Sequence, residues 1–187
     1  ALHDTLTGLP NRMLLADRID QGISRVDNDG GCLALMFIDL DGFKPVNDAF
    51  GHHMADQLLR EVSLRLREDL RGQDTLARIG GDEFVLLVQL SEPDDAMNLA
   101  ARQVSLIARA FRVAEHDLQI SASVGIALYP GNGQTAHELL MNADAAMYHA
   151  KGTGKNGYSF FDVSMYSNAR KQLQLLQDLR NAVDQNE

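Results

Sequence analysis

Two hydrophobic periods alternate along the chain. Leu14, Leu15, Ile19 and Ile23 fall on one side of a 3.6-residue repeat, which predicts a helix over about 12–26 behind the turn-forming stretch from Asp4 to Asn11. After a turn at Asn28-Asp29-Gly30-Gly31, the run from Cys32 to Asp39 is apolar almost throughout, as in a strand buried on both faces. Two helical pieces are expected next, at 44–50 and about 54–70, broken at Gly51, with Met54, Leu58, Val62 and Leu66 as the apolar stripe of the second. The stretches 75–79 and 84–90 read as strands. Between them Gly80-Gly81 supplies a tight hairpin turn, where glycine accepts φ > 0 and leaves the backbone open to a ligand. A helix over about 94–111 is expected to bury Met97, Ala101, Val104, Ala108 and Phe111. A strand at 118–127, a Thr-capped helix at 135–151 ended by Gly152, and a strand at 157–161 follow. A last helix over about 167–185 repeats Leu173, Leu176, Leu179 and Val183 at three- and four-residue steps.

The order β-α-β-β-α-β, then one more helix and strand, predicts an α+β fold. Its core is ferredoxin-like, with a central antiparallel hairpin, as in polymerase palms and nucleotidyl cyclases. That arrangement brings the end of the strand at Asp39 beside the hairpin tip. Residues 1–162 are expected to form the domain and 163–187 a C-terminal linker helix.

Composition narrows the partners. A formal net charge of −9 argues against a nucleic acid polymer, whose phosphates are bound by clustered Lys and Arg. One cysteine, Cys32, excludes an intrachain disulfide and suits a reducing cytoplasm. No apolar run approaches the roughly 20 residues of a membrane span. Two nucleotide or metal motifs also fail. Phe43 and Lys44 stand where an EF-hand following Asp39-Leu40-Asp41 needs an acid and a glycine. Gly154-Lys155 is followed by Asn156, not Ser or Thr, so there is no Walker A loop.

What remains is acidic. Asp39 and the pair Asp82-Glu83 are hard oxygen donors expected to meet at one rim of the sheet, which suits Mg²⁺ or Mn²⁺ held partly by substrate phosphates. Solvated strand-end carboxylates are the plain alternative.

The stretch Arg78-Ile79-Gly80-Gly81-Asp82-Glu83-Phe84, with Asp4-x-Leu6-Thr7-Gly8-Leu9-Pro10-Asn11-Arg12, resembles the GGDEF family of diguanylate cyclases, which condense two GTP into cyclic di-GMP and two pyrophosphates. The resemblance implies a metal held by Asp39, the Leu40 carbonyl and Asp82, with Glu83 handling the reacting 3′-hydroxyl or guanine. It implies a guanine pair in Asn47 and Asp56. Lys44, Lys151 and Lys155 become the triphosphate cations, with Lys44 close to the chemistry, and His52, Arg78, Gly80 and Gly81 join the substrate-binding set. Lys155 stands where the family usually has arginine, which replaces a bidentate contact by a point charge. Arg71-x-x-Asp74, five residues before Gly80, resembles the family's inhibitory product site, with Arg102 as a further contact. Reciprocal attack by two bound nucleotides implies a homodimer. Finally, Phe161-Asp162-x-x-Met165 and the helix after it resemble the connector to an EAL phosphodiesterase domain. An N-terminal sensor domain and a membrane-anchored whole protein are also compatible with the family. The alternative reading is a GGDEF domain without catalysis, sensing GTP or cyclic di-GMP for an adjacent EAL domain.

Overall fold

The computed structural model describes residues 1–184. Helix α1 (Arg12–Asp29) starts where the Asn11 side chain accepts a hydrogen bond from the Leu14 N–H. It buries Leu15, Ile19, Gly22 and Val26. Strand β1 (Cys32–Asp41) runs two residues beyond the expected end, and α2 (Phe43–Phe50) and α3 (His52–Arg67) meet at Gly51. Then come β2 (Thr75–Gly80), β3 (Glu83–Leu90), α4 (Asp94–Ala108), β4 (Phe111–Val113), β5 (His116–Leu118), β6 (Ser121–Tyr129), α5 (Ala136–Gly152), β7 (Gly157–Phe160) and α6 (Ser164–Asp184).

Five strands form one sheet in the order β2-β3-β1-β6-β7, antiparallel except for the β6–β7 pair. The first four are the ferredoxin-like core, and β7 adds an edge. Strand β1, apolar from Cys32 to Ile38, sits in the centre and is covered on both faces. Ala34, Met36, Ile38 and Leu40 point into a core shared with α3 and α4, while Leu33, Leu35 and Phe37 point into one shared with α1 and α5. With a side-chain period of two, Asp39 and Asp41 continue the second set and face the α5 side.

Helix α5 lies close against β6 at Gly125, where an added Cβ would stand 2.0 Å from the Ala143 carbonyl oxygen. Only glycine permits that approach. It fixes the height at which the C-terminal end of α5 meets the rim of the sheet.

Three expectations are corrected. The two-residue turn of the hairpin is Gly81-Asp82, since Gly80 pairs with Glu83 after a register shift beyond Arg78. Gly81 takes the positive φ of 44° that this turn requires. The buried stripe of α4 is Ala96, Ala100, Gln103 and Ile107, one position from the expected set, and Met97 is exposed. The alanines there let the helix lie near the sheet. Lastly, the single strand expected at 118–127 is two, because β4 and β5 make a small separate hairpin turned through Ala114 and Glu115 at positive φ.

Candidate active site

The site grows from the register of the central strands. Asp39 on β1 stands directly opposite Glu83 on β3, and the Leu40 N–H donates to the Asp82 carbonyl at 3.2 Å. The end of β1 and the tip of the β2–β3 hairpin are thereby stitched together, and Asp39, Asp82 and Glu83 occupy one rim. Burial, then the charge of Asp39, pushes the Asp82 carboxyl above its ordinary value. Glu83 is raised in the same way, first by burial and then by Asp39, Asp144 and Asp82, with Arg12 opposing. The exposed Asp144 on α5 therefore belongs to the same electrostatic group.

Two features hold the hairpin in place. The Arg78 guanidinium donates from Nε and Nη2 to the Gly81 carbonyl at 3.0 and 2.8 Å, closing the turn from inside. Its Nη1 bonds to Asp4 Oδ1 at 2.8 Å, and Asp4 Oδ2 accepts from both the N–H and the hydroxyl of Thr7. The Arg78 N–H also donates to the Pro10 carbonyl at 3.0 Å. The Asp4-to-Arg12 segment is thus a strap along the β2 edge, and Arg78, expected among the substrate-binding groups, is committed to the scaffold.

Lys151 is also engaged. Its ammonium lies 2.8 Å from Asp39 Oδ1 and 3.0 Å from Asp41 Oδ1. Asp41 accepts in addition from Ser121 Oγ and Ser123 Oγ, both at 2.8 Å, and from the Asn156 N–H at 3.0 Å. Burial opposes its ionisation, but the hydrogen bonds, led by that of Asn156, outweigh burial and hold the carboxyl below the ordinary range. Lys155 and Asn156, both at positive φ, form the loop that this contact ties down. Sequence reasoning noted Asp41 without giving it a role. Its signal was the two-residue spacing from Asp39, which on a strand means a shared face.

Asn47 and Asp56, the pair expected to read the base, flank the break between α2 and α3. Both are partly buried there, and Asn47 Oδ1 is shielded from solvent with no hydrogen-bond partner. A buried acceptor without a donor is costly unless a ligand supplies one. Lys44, Lys155, His52 and His53 are exposed.

On the opposite end of the hairpin strands a cleft of about 990 Å³ is lined by Arg71, Asp74 and Arg102, together with Arg25 and Asp29 of α1, which sequence reasoning missed. This is the upper end of the range for ligand pockets, about 300–1,000 Å³. Asp74 Oδ2 accepts from the Arg71 N–H at 2.8 Å, while Asp74 Oδ1 is buried and unpartnered. Arg102 stands 3.8 Å from Asp69, at the same cleft.

Hard carboxylates, with Asp82 and Glu83 both raised by burial and then by the charge of Asp39, are the donors a divalent cation would relieve. Among the described residues no three metal-binding side chains converge to enclose an ion by themselves. The oxygen chemistry of Asp39 and Asp82 is of the kind that Mg²⁺ or Mn²⁺ takes.

A strand-end carboxylate facing a glycine-turn hairpin on a ferredoxin-like sheet is the arrangement expected of polymerase palms and nucleotidyl cyclases, and the family model for the GGDEF domain of diguanylate cyclases matches residues 1–157. The chain belongs to that family. It is 59% identical over 184 residues to the bifunctional diguanylate cyclase/cyclic di-GMP phosphodiesterase MucR of Pseudomonas aeruginosa, covering 98% of this chain and 27% of MucR. Among solved structures, a TpbB (YfiN) variant from Pseudomonas aeruginosa comprising only the GGDEF domain superposes with a TM-score of 0.86 at 34% identity, covering 90% of this chain and 99% of that one. The GGDEF domain of DgcB from Caulobacter crescentus, solved in complex with cyclic di-GMP, gives a TM-score of 0.77 at 29% identity, covering 85% of this chain and 92% of that one. The chain spans about a quarter of the length of the curated relatives it matches. No helix of the described residues is long and apolar enough to cross a membrane.

Proposed function

We propose that this domain is a working diguanylate cyclase that joins two GTP into cyclic di-GMP. The observation that carries the proposal is the register that sets Asp39 against Glu83 with Asp82 at the turn. Asp39, the Leu40 carbonyl and Asp82 would hold Mg²⁺ or Mn²⁺. When bound, the cation supplies charge neutralisation at the α-phosphate and acidifies the attacking 3′-hydroxyl. Each of two equivalent steps forms a bond from the 3′-oxygen to the α-phosphorus and breaks the bond to pyrophosphate. The hydroxyl proton leaves beside Glu83 to solvent water, one for each pyrophosphate released.

Asp56 selects the base. A carboxylate accepts from the guanine N1–H and its amine together, and Asn47 Oδ1 gains the donor it lacks. Adenine has no N1–H and would leave Asp56 unpaired, at about 1–3 kcal/mol. Lys44, Lys151 and Lys155 attend the triphosphate, with His52 at the pocket mouth. Calorimetry with Mg²⁺ should show GTP binding at least about fivefold tighter than ATP. Equal affinities would remove the guanine assignment.

Product is proposed to bind and inhibit in the cleft of Arg71, Asp74 and Arg102, where guanidinium groups meet phosphate bidentately and stack on guanine. The unpartnered Asp74 Oδ1 is available to a guanine edge. Arg71→Ala should weaken cyclic di-GMP binding at least about tenfold, and unchanged affinity would reassign the site.

We also propose that residues 163–187 connect this domain to an EAL-type phosphodiesterase domain in a cytoplasmic portion of a longer protein. Leu173, Leu176, Leu179 and Val183 of α6 are all exposed, and MucR carries both activities by name. An open reading frame that stops at Glu187, or continues without an EAL-type metal site, would exclude this arrangement.

A further inference from the structure

The two anionic partners of Lys151 are not equivalent. Asp41 is 5% exposed and tied to Ser121, Ser123 and Asn156, so it cannot turn away without breaking three other hydrogen bonds. Asp39 is more open, at 13%, and has Lys151 as its side-chain partner among the described residues. The ammonium sits on the same Asp39 carboxylate that is proposed above to bind the divalent cation, and the inference rests on that assignment. A cation arriving at Asp39 meets a positive charge already 2.8 Å from one of its oxygens. Two cations sharing one carboxylate repel each other, the more so at the reduced effective dielectric of a half-buried rim.

We infer that Lys151 is the resident counter-ion of the metal-free site, released from Asp39 when a divalent cation binds and kept at the rim by Asp41 for the phosphates that arrive with it. The amine thus has two tasks with opposite signs. Before nucleotide arrives it competes with the metal, which keeps Asp39 paired and lowers nucleotide-free metal affinity. Once the metal holds Asp39, the same amine, still bonded to Asp41, faces the triphosphate. A lysine that only held phosphate would weaken GTP binding when removed and leave nucleotide-free metal affinity unchanged. A purely structural lysine would move melting temperature and neither affinity specifically.

The test is calorimetric titration of Mn²⁺ into the nucleotide-free protein, and of GTP, as its non-reacting 3′-deoxy analogue, at saturating Mn²⁺, for wild type, Lys151→Met and Asp39→Asn. Methionine keeps the unbranched stem and removes the charge. Lys151→Met should bind Mn²⁺ about tenfold more tightly than wild type and GTP more weakly. Mn²⁺ affinity equal to or below that of wild type, in a variant with unchanged circular dichroism, overturns the inference. Should Lys151→Met misfold, the double variant Lys151→Met/Asp41→Asn also removes the buried Asp41 charge left without its cation and is titrated in its place, with the same two outcomes. The Asp39→Asn arm separates the two levels. Loss of Mn²⁺ binding there supports the metal assignment, whereas wild-type affinity overturns it and the counter-ion role with it.

Discussion

Asp82 and Asp41 share one rim and stand in opposite relation to the fold. Burial, then Asp39, raises Asp82, so the native state takes up its proton more readily than the unfolded chain does. Ionised Asp82 therefore opposes folding at neutral pH, and that opposition disappears as pH falls below the ordinary carboxylate range. Asp82→Asn should melt higher than wild type at pH ~7, lose the advantage toward pH ~3 and make no product. Asp41 is the reverse case. Its carboxyl is held below the ordinary range despite burial, so its contribution is present above that range and is lost as pH falls through the native value. Asp41→Asn should melt lower than wild type at neutral pH, with the gap closing in acid. Melting curves of the three proteins across pH test both signs, and parallel behaviour of the two variants would contradict the account. A stabilised but inactive Asp82→Asn is what a functional carboxylate held against the fold's preference looks like.

At the scale of elements, the hairpin and α5 bring the chemistry together, and each depends on a contact that is local in one partner and distant in the other. Arg78 joins the Gly81 carbonyl to Asp4 across 74 residues of chain. Its replacement by alanine should cost about 1–3 kcal/mol and reduce turnover by loosening the Asp82 turn. Asp4→Asn should reproduce part of both effects. Gly125→Ala would drive a methyl group into the Ala143 carbonyl, and overpacking of this kind costs about 1–3 kcal/mol or more. Chemical denaturation measures both losses.

The sequence made most of these elements readable because their signals are local. The uninterrupted apolar run of β1 announced a central strand, and Thr135 capping α5 with an oxygen 3.1 Å from the Glu138 N–H announced a helix start. What escaped has nonlocal causes. The face of α4 turned by one position because small Ala96 and Ala100 approach the sheet, a preference that hydrophobicity alone does not rank. The roles of Asp41 and Asp4 depend on Lys151 and Arg78, which are far away in sequence. The carboxylates of the motif were legible, but Lys151 and Arg78, assigned to substrate, were not seen to be already paired, since periodicity carries no information about who meets whom across a sheet.

For the whole molecule, the geometry of the reaction sets the demand. Each domain presents one rim with Asp39, Asp82 and Glu83, and a cyclic product needs each nucleotide to be attacked by the other. On the proposed activity, two domains would face one another across a two-fold axis, and a lone domain is expected to bind GTP without turning it over. Specific activity should accordingly rise with protein concentration until the pair is saturated. The most direct measurement is chromatographic detection of cyclic di-GMP formed from GTP and Mg²⁺ over a wide range of protein concentrations, with Asp82→Ala as the control. The account predicts two pyrophosphates per product, a specific activity that climbs with concentration, and none in the variant. Absence of cyclic di-GMP at every concentration from a folded protein that binds GTP, or undiminished product from Asp82→Ala, would contradict it.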